Sequence, residues 1–213
     1  MADAPSQEIL VEQVRPISRG AYTGLNPLPG ARVTVAGPRG VVTFREDATD
    51  AGRFRASFIP RAGELYTLLV EGPGGERVTG ETRVPRAPRL LVPSRDTAVV
   101  PLEQYRVTWS ASAPGYVVAQ GALDGGPSNR ERVVFAYTLR DTTATVAINY
   151  NEDGHVLRIA AVDSSYVHYT RSGRFGDLRP QTPLRSAVQG GYGVFASTAF
   201  SESRRITSQP RSP

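Results

Sequence analysis

Hydrophobic and polar positions alternate with a period of two along most of this chain, the pattern of strands buried on one face only. In the first half the alternation picks out EILVEQV (8–14), ARVTVAG (31–37), VVTFRE (41–46), RFRASF (53–58), ELYTLLVE (64–71) and ERVTGETRV (76–84). These segments are rich in Val, Thr, Phe and Tyr, which suit a pleated, half-buried surface. GPRG (37–40), ATDAG (48–52) and GPGG (72–75) punctuate them, and the last two are short Gly-bearing links of the kind that hairpins need. No window here carries a stripe of period 3.6. The prediction for residues 1–85 is an antiparallel sandwich of about six to seven strands.

VPRAPRLLVPS (84–94) then places three prolines in a short span. Proline removes ladder donors and stiffens the chain, so a domain junction is expected at Pro85 and Arg86. Strand patterns resume with YRVTWS (105–110), YVVAQGA (116–122), ERVVFAYTL (131–139), TATVAINY (143–150) and HVLRIAAVD (155–163), with SYVHYT (165–170) prolonging the last. RSGRFGDLRPQTPLRSAVQGG (171–191) loses the alternation and is expected to be a long loop, a length usually functional or disordered. YGVFASTAF (192–200) alternates again and is the expected closing strand, followed by a polar, frayed tail. The fold class expected is all-β, two antiparallel β-sandwich domains in tandem over residues 1–85 and 86–213.

Composition agrees with a folded β protein. The 213 residues are 39% hydrophobic, with 21 Gly and 17 Pro, too apolar for disorder and too rich in breakers for a helical bundle. No apolar run approaches the roughly 20 residues of a membrane helix. The net charge of +5 invites a nucleic-acid reading, but its distribution weakens it. Residues 1–85 carry 10 Arg against 10 acidic residues, whereas residues 168–213 carry 7 Arg against Asp177 and Glu202, which alone supplies +5. All 25 basic residues are Arg; that is more simply a coding bias than selected phosphate chemistry, because Lys serves phosphate equally well. No nucleic-acid partner is expected. With no cysteine there is no disulfide framework, thiolate site or thiol nucleophile. The start MADAPSQEIL has neither a basic n-region nor an apolar h-region, so any signal or lipid-anchor cysteine is expected upstream of it.

Catalytic chemistry is thinly provided. His155 and His168 are the two histidines, and no G-x-S-x-G elbow or H-E-x-x-H spacing accompanies them. Each reads as an ordinary strand or edge histidine. EDATD (46–50) and NEDG (151–154) offer oxygens for Ca²⁺ but match no EF-hand loop, and both sit where a hairpin wants Asx-type turn residues. GPGG and DGGP are turn glycines, because a phosphate loop needs a helix to follow. No metal, cofactor or catalytic residue is assigned. The candidate binding residues belong to the Arg-rich loop: Arg171, Arg174, Phe175, Arg179 and Arg185, with Tyr192 at its exit. Guanidinium forks beside aromatic faces suit an anionic ligand, a glycan or a partner protein. The plainer alternative is a solvated crossover whose Phe175 covers a sandwich edge.

LPGARVTVAGPRG (28–40), TDAGRF (49–54) and YTLLVEGPGG (66–75) resemble the transthyretin-like, carboxypeptidase-regulatory-like domain. The second half, with Trp109 on its second strand, resembles a fibronectin type III domain. The order of segments, closed by QGGYGVFAS (189–197), is similar to a bacterial lipoprotein family known as a domain of unknown function. Ala196 stands where that family's closing strand has glycine. The resemblance implies an extracytoplasmic, lipid-anchored, non-enzymatic interaction or accessory protein of the cell envelope. It also implies a link to an outer-membrane uptake system, with an envelope protein, such as a transporter, or a glycan as partner. A carbohydrate- or peptide-binding module is the alternative within binding, and a hydrolase or hydrolase-associated domain the alternative outside it.

Overall fold

The computed structural model describes residues 6–13, 26–122, 132–133, 140–148, 153–172 and 186–209. It is nearly all β with one short helix. The first half holds β1 (Gln7–Leu10), β2 (Arg32–Gly37), β3 (Gly40–Asp47), β4 (Asp50–Ala56), β5 (Leu65–Glu71) and β6 (Arg77–Arg83). β7 (Leu90–Val92), β8 (Thr97–Val99), β9 (Tyr105–Trp109), β10 (Gly115–Ala122), β11 (Arg132–Val133), β12 (Thr143–Val146) and β13 (Gly154–Val162) follow. Helix α1 (Ser164–Ser172), β14 (Val188–Gln189), β15 (Thr198–Phe200) and β16 (Arg204–Ser208) complete the described elements.

The first sheet is antiparallel, in the order β1-β4-β3-β2-β5-β6-β14. Its inward positions, among them Val33, Val35, Phe44, Phe54, Leu68 and Val70, form one core. The turn chemistry expected of EDATD is present. Asp47 accepts the Thr49 N–H at 2.9 Å and the Thr49 hydroxyl at 2.8 Å, and these bonds hold its carboxyl below the usual range. Glu46 accepts from the Gly52 and Gly30 N–H groups and is lowered by them in the same way, Gly52 first.

A second sheet runs β11-β10-β13-β16-β8, with β15 also on β13, and the β16–β8 pair is parallel. A three-stranded sheet, β12-β9-β7, packs against it. Trp109, Tyr116, Ile148, Leu157, Ile159 and Ile206 fill the space between them, a β-sandwich-like arrangement. Residues 116–119 of β10 and 159–162 of β13 are buried on both faces, which explains the apolar runs YVVA and IAAV. On the far face Val117, Ala160 and Val162 are covered by Val167 of α1, with Tyr166 and Phe200 packed alongside.

Two expectations are corrected. SYVHYT does not prolong a strand: it is the body of α1. Asp163 ends β13 and caps the helix, accepting the Tyr166 N–H at 3.0 Å on Oδ1 while its carbonyl accepts from Val167. YGVFASTAF forms a strand only at residues 198–200. The last described strand is instead β16, within the polar tail; Ile206 is fully buried there and holds it to β13 opposite His155. After Pro85 and Arg86, where the junction is expected, the proline-rich stretch enters β7, which pairs with β9 of the second half.

Candidate functional site

Of the residues singled out in the Arg-rich loop, Arg174, Phe175, Arg179 and Arg185 lie outside the described residues. Arg171 falls in the last turn of α1. Tyr192 is 46% exposed, and its ring lies 5.9 Å from that of Tyr169 on α1, tilted by 48°. Partial burial, then the hydrogen bond and charge of Tyr169, push its hydroxyl pKa up.

The loop's exit is built around β14, which pairs with β6 through Val188 opposite Gly80 and Gln189 opposite Thr79. Gly190 then turns the chain away at φ +80°, so close to β6 that a Cβ would lie 2.0 Å from the Arg77 carbonyl oxygen. Only glycine fits there. The Ser186 hydroxyl donates toward the Val188 and Gly191 carbonyls and accepts the N–H groups of Val188 and Gly193. Residues 186–193 thus form a tied turn. Beyond it the chain passes back over the first core, where Phe195 packs, and Gly80 leaves the room that the Phe195 and Val188 side chains occupy.

This return path creates the site. β1 is one end of the seven-stranded sheet, and residues 190–197 pass opposite it. The two line the same cavities, one of 460 Å³ floored by Val35, Phe44, Tyr66 and Leu68, and one of 370 Å³ floored by Leu68, Val70 and Val78. Together they make an open apolar slot along the seam of the sheet. Val11 donates its N–H to the Gly52 carbonyl at 2.8 Å and Ile9 lies opposite Phe54, so by antiparallel alternation the main-chain groups of Glu8 and Leu10 point away from β4, into the slot. Across it, no hydrogen bond among the described residues engages the main-chain groups of Val194, Phe195 or Ala196. Leu10 and Val194 are 42% and 38% exposed on the two walls.

The carboxylates of Glu8, Glu12 and Glu76 line the slot, and no basic side chain among the described residues does. Glu8 pairs with Arg53 and Arg55 on β4, and Glu76 accepts the Gly74 N–H at 2.9 Å. Sequence reasoning missed this slot because nothing in the period-two pattern says that residues near 10 and near 195 face each other. The one local signal was exposed apolar positions on both segments.

A second concavity, of 700 Å³, opens between β5, β6, α1 and β14. Thr67, Thr79, Glu81, Ser165, His168 and Gln189 are among its lining residues. The Ser165 hydroxyl donates to the Glu81 carbonyl at 2.9 Å. His155, by contrast, is buried in the second half, where its ring nitrogens meet Tyr105 Oη and Gln120 Nε2, each at 2.7 Å from Nε2. Burial pushes the Tyr105 hydroxyl pKa far up.

No helix among the described residues is long and apolar enough to cross a membrane. The sequence matches a family described as "Domain of unknown function (DUF4249)" over residues 2–204. No curated protein matches it. Among solved structures, it is similar to one described as "Biofilm associated protein - BSP domain", at 17% identity and a TM-score of 0.26, covering 89% of this chain and 26% of that one. The chain therefore spans about a quarter of that structure's length. It is also similar to "DIP-gamma IG1+IG2", at 10% identity and a TM-score of 0.24, covering 85% of this chain and 86% of that one. At such TM-scores neither likeness carries an argument about site or partner.

Proposed function

This chain belongs to the DUF4249 family, and from that premise we propose that it is a non-enzymatic interaction protein of the bacterial cell envelope that holds a protein partner in the slot between β1 and residues 190–197. The observation that carries this reading is the slot itself, an apolar floor between two walls with main-chain groups that no hydrogen bond among the described residues engages. Exposed apolar surface joined to unused strand edges is the chemistry of protein recognition. The transthyretin-like and fibronectin type III-like resemblances of the two halves support a two-sandwich organisation. The resemblance of the segment order and closing QGGYGVFAS to a bacterial lipoprotein family supports an extracytoplasmic location, anchored by lipid and working beside an outer-membrane uptake system.

The test is site-specific photo-crosslinking in the native host's envelope, with the photoreactive residue at Leu10, at Val194 or at Val41, which is 68% exposed on β3 and away from the slot. One protein adduct of defined mass from both slot positions, absent from Val41, is expected. No protein adduct from either slot position would sink the reading.

A carbohydrate ligand is a second reading, favoured by the hydroxyl-, amide- and imidazole-lined 700 Å³ groove. Saturation-transfer measurements with envelope glycans test it, and transfer unchanged by Gln189→Ala and His168→Ala removes it.

A further inference from the structure

We propose that the slot takes a single extended strand, apolar on the face turned toward the core and basic on the face turned to solvent, which hydrogen-bonds to β1 on one side and to residues 194–196 on the other. The inference rests on the reading of the slot as a contact surface and specifies its occupant.

The length and hydrogen bonding of the slot define a strand. The wall formed by residues 7–13 is about 23 Å long at roughly 3.3 Å per residue, enough for about seven residues. Its free donors and acceptors come from alternate residues, Glu8 and Leu10, as strand pairing requires. The opposite wall, residues 194–196, lies outside any strand, and its main-chain groups have no hydrogen-bond partner among the described residues. A strand between them satisfies both rows at once and closes the seam of the sheet.

The two faces of β1 define the occupant's side chains. Ile9 and Val11 turn inward onto the first core, so the occupant's neighbouring side chains sit over that core and are apolar. Glu8 and Glu12 alternate with Leu10 on the outer face. Side chains directly opposite on neighbouring strands interact, and opposite charges stabilise the pair. Glu12 has no ion-pair partner among the described residues, and Glu8 keeps company with Arg53 and Arg55. The occupant's outer positions are therefore Arg or Lys.

A second copy of this chain does not fit. Its own β1 carries β4 along one edge, and a sheet cannot enter a slot walled by residues 190–197. The occupant is an isolated strand from a different protein.

The test uses the purified protein and capped nine-residue peptides, read by calorimetry and fluorescence anisotropy. The probes are an alternating Val/Arg peptide, a scramble of the same composition, an alternating Val/Glu peptide, and two Val/Arg peptides N-methylated at all odd or all even positions. The Val/Arg peptide is expected to bind one to one, and the scramble and Val/Glu peptides to bind at least about fivefold more weakly. Both N-methylated peptides should lose binding, because the strand uses both of its edges. Glu12→Arg, at an exposed position, should reverse the preference between the Arg and Glu peptides with an unchanged melting temperature. Equal binding by the scramble, loss in only one methylation phase or in neither, or no binding by any peptide overturns the inference. In each of these cases specific crosslinks from Leu10 and Val194 would leave the broader interaction reading standing, whereas their absence removes both.

Discussion

Thr82 on β6 donates its hydroxyl to the buried carboxylate of Asp163, 81 positions further along the chain. The same hydroxyl meets Ser197 Oγ at 2.7 Å, and the Asp163 N–H reaches the Ser197 carbonyl at 3.3 Å. The first sheet, the start of α1 and the segment entering β15 are therefore joined at one polar point. No ion pair among the described residues compensates the charge there, and burial pushes the Asp163 carboxyl pKa up against the lowering effect of Thr82 and the backbone donors.

That shift has a definite sign. A carboxyl raised above its unfolded value contributes stability that is fully present below the ordinary value of 3.8 and is lost as pH rises through the raised one. Relative to Asp163→Asn, which keeps an acceptor for Thr82 or Tyr166, the wild type should therefore lose stability as pH rises from the ordinary carboxyl value toward neutrality. Urea titrations of both proteins across that range check it, and a difference that is flat or rises with pH counts against it. Asp163→Ala, which removes the helix cap and strands Thr82, should cost about 1–3 kcal/mol at any pH.

Gly190→Ala should be more damaging than Gly75→Ala. Both glycines have positive φ, but a Cβ at Gly75 meets nothing within 4 Å, whereas one at Gly190 strikes the Arg77 carbonyl oxygen. A cost of about 1 kcal/mol is expected at Gly75 and about 2–3 kcal/mol at Gly190. Hydrogen exchange should show protection lost at the β14–β6 pair in the second variant alone. Equal costs at the two positions would mean that β14 is not held as described.

Ile206→Ala should cost about 2–5 kcal/mol, because the side chain is fully buried among Leu157, Ile159 and Trp109. Trp109 is the only tryptophan and lies in the same core, so its fluorescence reports the transition directly. Leu10→Ala, on the exposed slot wall, should stay within about 0.5 kcal/mol. A small effect at Ile206 would return β16 to the status of a frayed tail.

Tyr105 should ionise well above the ordinary tyrosine value of 10.0. Its hydroxyl is buried against His155 and Gln120, and desolvation of the phenolate raises its pKa well above 10.0. The linked stability is fully present below that ordinary value and is lost as pH rises through the raised one. Ultraviolet phenolate titration should show a late component coincident with alkaline unfolding. Tyr105→Phe should remove that component; its persistence would assign it to another residue.

Most of the strand positions were legible because a half-buried strand writes its two faces into alternate residues, as in residues 64–71, where Tyr66, Leu68 and Val70 are buried and their neighbours are not. The helix was less legible. β13 runs straight into α1, and the apolar and aromatic residues of SYVHYT suit either state, so the decision fell to Asp163 as a cap. The binding site was not legible in the same way. The residues proposed from sequence were chosen by charge and aromaticity within one loop, and among the described ones Tyr192 borders the slot. The slot's walls are ordinary apolar and acidic residues, distinguished by unused main-chain groups that leave no trace in composition.

The sequence by itself determined a β-rich chain, its turn chemistry at Asp47 and its membership of a family, because these depend on short-range sterics and on alternation. Tertiary structure alone decided that the polar tail would become β16, that residues 188–197 would return to the first sheet, and that β1 would be left with an open edge facing them. Those outcomes depend on which distant surfaces bury each other, as Ile206 does against β13 and Phe195 over Gly80. A free edge is defined by the strand that is not there, and no residue type records it.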